Sequence, residues 1–436
     1  MIQPLALASA AGQQCLAKLL DRFQAGDDSC RRSVADIIAR VRAEGDQALI
    51  DYTRRFDDPH LSADRLRVTD REIEKAYDQV DDDFRTTLAL AIERIETFHQ
   101  RELEDSWMIT REDGTICGRL VRPVDAAGLY VPGGRGGSTP LVSSVLMNGI
   151  PAQIAGVRKR IMVTPPGNHG AVNPALLVAA REIGITEIYR SGSAWAVAAL
   201  AFGTETIPAV DVIVGPGNQY VAEAKNQVAG RVRIDMIAGP SEVLIIADHT
   251  AHPAHIAADM LAQAEHDPQA LAVVITCREE LVPDIISRLD TLLAGLEREQ
   301  IARRALSDRG VILTVPDLET AVDAANRIAI EHLELMVADP WQWLPKIRHA
   351  GAIFLGADTP EAAGDYLAGP NHVLPTMGTA RVSSALGVET FVKKSSIISY
   401  SHRALQADAE HIQRLARLEG LTAHANSVAV RLDDQR

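Results

Sequence analysis

The sequence predicts an α/β fold with parallel sheets, and three observations carry that prediction. From about residue 124 short Val/Ile-rich runs alternate with segments of helical length. Alternation of this kind implies parallel strands joined by crossover helices. The runs fall into two sets, 161–164, 187–189 and 212–214, then 243–247, 271–276, 311–314 and 352–355, which suggests two α/β blocks. Gly-rich turns follow several runs: Tyr130-Val-Pro-Gly-Gly134, Ser191-Gly-Ser193 and Gly215-Pro-Gly-Asn218. Turns between a strand and a helix are where such folds hold phosphates, although no GxGxxG fingerprint occurs in the right context.

Taken in order, residues 1–105 read as mostly helical. Thr69-Asp-Arg-Glu72 is a capping box that opens one helix. Phe84, Leu88, Leu90, Ile92, Ile95 and Phe98 give helical apolar spacing across 81–103. Asp113-Gly114 lies between two strand-like runs and predicts a hairpin turn. The tail after about residue 385 returns to helix and ends in a strand-like run at 427–432.

Composition removes whole classes of function. Apolar residues make up 47 % of the 436, enough for a large core, but aromatics are only 4 %. The core must therefore come from Ala, Val, Ile and Leu. Acidic residues outnumber basic ones, 58 to 44, for a net charge of −14. Such a surface repels nucleic acid. The apolar stretch 141–157 is broken by Asn148, Gly149 and Pro151, so it predicts no membrane span. Cys15, Cys30, Cys117 and Cys277 form no CxxC pair, and no secretory leader opens the chain. Both point to a reducing, cytoplasmic setting. Cys277 reads as a packed core residue and Cys117 lies in a hairpin arm; neither reads as a nucleophile.

Several polar clusters could carry chemistry. Gln263 and His266 sit three apart at the end of a predicted helix, on one face. With Asp365 in a Gly-rich turn and His424 near the C-terminus, they offer two imidazoles, a carboxylate and an amide oxygen, a set suited to Zn²⁺. Taken alone, Gln263 and His266 read as an ordinary polar helix end, and the company of Asp365 and His424 is what points to a metal. Glu331-His332 pairs a carboxylate with an imidazole, as acid–base work near neutral pH requires. Neighbours on a strand point to opposite faces, so both reach one site only where the backbone is irregular.

The chain resembles the histidinol dehydrogenase family. The matching segments run in family order and include Gly128-Leu-Tyr-Val-Pro-Gly-Gly134, Val214-Gly-Pro-Gly-Asn218, Gly239-Pro-Ser-Glu242, Gln263-Ala-Glu-His266, Glu331-His-Leu-Glu334, Ala363-Gly-Asp-Tyr366, Asn371-His-Val-Leu-Pro-Thr376 and Glu419-Gly-Leu-Thr-Ala-His424. The resemblance implies four-electron oxidation of L-histidinol through L-histidinaldehyde to L-histidine, with two NAD⁺. It implies one Zn²⁺ per subunit, held by Gln263, His266, Asp365 and, across a homodimer, His424. It casts His332 as the base that takes the alcohol proton and Glu331 as the group that activates water. Ser241, His332, His372 and Glu419 would meet the substrate along with the four zinc ligands. Tyr130, Trp195 and Asn218 would meet NAD.

The implied architecture has two Rossmann-like domains with incomplete dinucleotide-binding folds, plus helical terminal arms that intertwine a dimer. Its parts are an arm at 1–24, a domain of 25–129 with 239–384 carrying most zinc and catalytic residues, an NAD-binding domain at 130–238, and a dimerisation arm at 385–436 that lends Glu419 and His424 to the partner. The chain departs from the family at Trp195, where many members carry Gln, at Ile330 and Pro370, and in a slightly expanded loop near 135–139. These departures leave room for an alternative substrate, another primary alcohol such as a sulfonated diol.

Overall fold

The structure is a computed structural model, and it describes residues 2–22, 28–133, 139–167 and 170–433. The expanded loop at 135–138 and the arm boundary at 24/25 lie outside the described residues. In chain order the strands are β1 (Pro4–Ala6), β2 (Trp107–Thr110), β3 (Ile116–Pro123), β4 (Ala126–Tyr130), β5 (Lys159–Thr164), β6 (Glu187–Arg190), β7 (Val212–Val214), β8 (Arg233–Ile234), β9 (Glu242–Ala247), β10 (Leu271–Thr276), β11 (Gly310–Thr314), β12 (Ile330–Met336), β13 (Ala350–Leu355) and β14 (Val392–Ser399).

Two compact units contain them. The first joins Met1–Glu102 to Val124–Phe391, and the second joins Leu103–Pro123 to Val392–Arg436. The first holds a six-stranded sheet, order β1-β11-β10-β9-β12-β13, and a five-stranded sheet, order β6-β5-β4-β7-β8. Every strand pair in these two sheets is parallel. The seven strand runs expected between residues 161 and 355 are strands here.

A parallel sheet covered on both faces needs continuous apolar strands. β9 (EVLIIA) and β10 (LAVVIT) are buried at every residue. Alternate side chains then enter different cores. Val243, Ile245 and Ala247 pack with Ile256 and Met260 of the helix Pro253–Ala264. Leu244 and Ile246 pack with Leu16 and Leu19 of the helix Ala10–Leu20 and with Val322 of Leu318–Ile328. With few aromatics, the interior relies on small side chains. The helix Ser193–Phe202 buries an unbroken run from Ala194 to Ala201. The capping box at Thr69 and Glu72 is present as expected.

Both ends of the chain differ from the sequence reading. The N-terminal segment contributes β1, which pairs with β11 at the sheet edge, so it is not a purely helical arm. At the other end, β14 pairs antiparallel with β3, and β3 with β2. The Asp113-Gly114 hairpin therefore groups with the tail and not with residues 25–129. β14 (VKKSSIIS) is mostly exposed, so it lacks the apolar alternation that marks a half-buried strand. Residues 427–432 belong to the helix Thr422–Asp433. Ala425 and Val428, three apart, supply its buried face, a helical spacing hidden inside an alternating-looking run. No helix among the described residues is long and apolar enough to cross a membrane.

Candidate active site

The candidate site lies at the starts of strands in the six-stranded sheet. Its floor is the point where β9 and β12 first meet. Their ladder begins with His332 opposite Val243. At Glu242 side chains occupy the places of ladder partners. The Glu242 N–H donates to Glu331 Oε2 at 2.7 Å, and His332 Nδ1 lies 3.1 Å from the Glu242 carbonyl oxygen. β12 itself is regular over 330–336. Glu331 and His332 thus reach one site not through a distorted backbone but because both turn to a single residue where pairing starts. His332 Nδ1 lies 3.6 Å from Glu331 Oε2 and 3.8 Å from Glu361 Oε1.

This geometry fixes the imidazole. A ring nitrogen facing a carbonyl oxygen must carry the proton, so Nδ1 donates and Nε2 keeps its lone pair. Burial, helped by the nearby His266 and His372, pushes the His332 pKa down to about 3, so the ring is neutral at physiological pH. Burial raises the Glu331 carboxyl well above its ordinary range. A carboxylate made more basic in this way is a better proton acceptor near neutrality.

Glu242 is held in turn by Arg22. The guanidinium donates to both carboxylate oxygens at 2.5 and 2.7 Å, and also to the carbonyls of Leu19 and Ile328. Both side chains are almost wholly buried. Loss of one partner from such a pair costs about 3–5 kcal/mol, because the other charge is stranded in the interior. The N-terminal helix is thereby tied to the residue beneath the Glu–His pair.

A second set of groups faces the pair. His266, Glu361 and Asp365 bring ligand atoms within 4.8 Å of one another, close enough to share one cation. Gln263 ends the helix Pro253–Ala264, and the His266 amide bonds back to the Gln263 carbonyl in the closing turn. Gln263 is fully buried, and with its amide oriented to satisfy its neighbours Nε2 donates to Glu361 Oε1 and Oε2 at 2.7 and 2.9 Å. Glu361 and Asp365 lie one turn apart on the helix Glu361–Tyr366. Burial pushes the Asp365 carboxyl up to about 6. Among the described residues His372 Nε2 is buried without a hydrogen-bond partner, and burial drops that ring to about 4. Ser241 precedes β9, and its carbonyl accepts from the Leu271 amide.

The remaining predicted residues stand elsewhere. Glu419 and His424 are exposed and belong to the second unit. Tyr130 closes β4, and its hydroxyl accepts from the Ser193 amide at 3.1 Å. Asn218 caps the helix Gln219–Val228, accepting from the Tyr220 and Val221 amides. Gly215 has φ +113°, and a Cβ there would collide with the Tyr130 carbonyl. These turns sit at the strand ends of the five-stranded sheet, where α/β folds take cofactors. Trp195 is buried. Its Nε1 donates to Thr53 Oγ1 at 3.2 Å, and it stacks on Tyr52 and Phe56.

Sequence reasoning missed Glu361 and Arg22, and noticed Glu242 only within the Gly239-Pro-Ser-Glu242 motif. The i,i+4 spacing of Glu361 and Asp365 was a usable signal for the first. Behind the site Glu334 and Asp259 add two more buried carboxyls, both raised by burial. Only Glu334 had drawn notice, as part of a motif.

Parallel sheets with glycine-rich turns at the strand ends of one, and a buried Glu–His pair beside convergent ligand atoms at the strand starts of the other, are the makings of an α/β enzyme. The family model described as histidinol dehydrogenase matches residues 20–432. A histidinol dehydrogenase of Desulfotalea psychrophila is 68 % identical over 99 % of this chain and the whole of its own length. One from Nitratidesulfovibrio vulgaris is 53 % identical over 99 % of both. The crystal structure of histidinol dehydrogenase from Elizabethkingia anophelis superposes with a TM-score of 0.92 at 38 % identity, covering 99 % of this chain and 98 % of that one. The chain belongs to the histidinol dehydrogenase family, a family of NAD-dependent oxidoreductases.

Proposed function

We propose that this enzyme oxidises L-histidinol to L-histidine in two NAD⁺-linked steps at a zinc site shared between two subunits. The observation that carries this reading is the buried Glu331–His332 pair facing His266 and Asp365. Full-length likeness to histidinol dehydrogenases favours this substrate, and nothing among the relatives supports the sulfonated-diol alternative.

The donor chemistry at the site fits zinc: imidazole from His266, carboxylate from Asp365 and an amide oxygen from Gln263. His424 is the fourth ligand in this reading, given by the partner together with Glu419, which meets the substrate. Zn²⁺, when bound, supplies a Lewis-acidic anchor for the substrate's nitrogen atoms. NAD⁺, when bound, accepts the hydride. His332 Nε2 takes the hydroxyl proton as the alcohol becomes the aldehyde. Glu331 then removes a proton from water as it adds to the aldehyde, and oxidation of the resulting hydrate gives the acid. Ser241 and the unpartnered His372 Nε2 hold the substrate. Tyr130 and Asn218 contact NAD⁺. Trp195 stands in the first turn of the helix that follows Ser191-Gly-Ser193, with its N–H given to Thr53 and its ring left as the group that meets NAD⁺.

A pairing of subunits accounts for the apolar surface of the second unit. Met108, Ile398, Leu415, Leu418 and Val430 are each more than half exposed. Water-facing groups of this kind mark interfaces. Native mass spectrometry tests both parts of the reading. The protein should fly as a dimer of the 47.1 kDa chain carrying two zinc ions. Zinc competes with the proton on Asp365, so occupancy at limiting zinc should fall as pH drops through about 6. A monomer that holds zinc as tightly as the dimer would contradict the shared site.

A further inference from the structure

We infer that Glu361 is a positioning residue that decides which end of the Gln263 amide faces the metal. The inference rests on the reading of Gln263 as a zinc ligand and goes beyond it, because Glu361 has no role in that ligand set.

A Gln side chain has two ends of nearly equal shape and opposite chemistry, and only the oxygen can bind a cation. A buried Gln beside a metal therefore needs something that tells its ends apart. Glu361 does this. In its ionised form Glu361 only accepts, and both its oxygens lie within hydrogen-bond distance of Nε2, at 2.7 and 2.9 Å. The reverse orientation would set the amide oxygen against two carboxylate oxygens. Nitrogen toward Glu361 turns the carbonyl oxygen away from it.

Glu361 is itself fixed. It is 2 % exposed and begins the helix that also carries Asp365. One short helix thus supplies a direct ligand at one position and the group that orients another ligand a turn earlier. Partners that orient a ligand from behind are general at metal sites, and their loss costs about 10–100-fold in metal affinity.

A rival role must be separated, because Glu361 also lies within ligand distance of His266 and Asp365. It could bind the metal directly. The two roles differ in a double-mutant cycle. The experiment titrates chelator-stripped dimer with Co²⁺, followed by its visible absorption, for wild type, Glu361→Gln, Gln263→Ala and the double variant. Circular dichroism checks folding of each. The expected result is that Glu361→Gln weakens Co²⁺ binding about 10–100-fold in the wild-type background. In the Gln263→Ala background it should cost nothing further, since nothing is left to orient. Equal losses in both backgrounds would make Glu361 a ligand and overturn the inference, as would unchanged affinity in Glu361→Gln. If that variant does not fold, Glu361→Asp keeps the charge, draws the oxygens back, and should show the same background dependence. Wild-type protein that binds no Co²⁺ would overturn the zinc reading and this inference with it. That outcome is distinct from metal binding that ignores Glu361.

Discussion

Replacing His332 with Asn should lower kcat for histidinol oxidation by about 100- to 10,000-fold, the range for losing a general base, while zinc stays bound. Asn can still donate to the Glu242 carbonyl, so the local backbone contact survives. It offers no group that accepts a proton at neutral pH. His332 also stands outside the proposed ligand set, so its loss should not empty the metal site. The expected result is a folded, zinc-loaded dimer that is nearly inactive, measured by NADH formation and by metal content per subunit. Zinc loss in this variant would make His332 a ligand and refute its role as base.

Glu331→Gln should separate the two oxidations. Gln retains an oxygen that can accept the Glu242 N–H, so strand packing at the start of β12 is kept. What disappears is a carboxylate that burial makes basic. Water activation then fails, and the second oxidation should slow by about 100- to 10,000-fold, with a smaller effect on the first. The comparison is the initial rate with L-histidinaldehyde against aldehyde formation from L-histidinol. Equal slowing of both steps would count against a water-activating role.

These two residues show how far the sequence carries the account. Glu331 and His332 stand out because a carboxylate beside an imidazole is chemically conspicuous. The support beneath them does not stand out. Arg22 and Glu242 are 220 residues apart in the chain, and nothing local marks either as buried. β9 and β10 are legible because a parallel strand covered on both faces must be apolar throughout. β14 is not, because a strand facing water carries Lys and Ser and is defined by its partner β3. His266 and Asp365 could be named from sequence, yet their approach within ligand distance is a tertiary fact. Glu361 was overlooked for a related reason: the segment around Asp365 was read as a Gly-rich turn, whereas the fold makes it a helix and buries Glu361 at its start. Trp195 is the instructive exception. Read from sequence it is a cofactor contact, and the structure adds neighbours that no motif marked: Thr53 accepts its N–H, and Tyr52 and Phe56 stack on its ring.

The central claim is a four-electron, zinc-dependent oxidation. The most direct test is the yield of NADH per L-histidinol consumed to completion, with zinc supplied and in a chelated control. Two NADH per histidinol are expected, lost on chelation and restored by zinc. One NADH per histidinol, or an undiminished yield from the chelated enzyme, would contradict it.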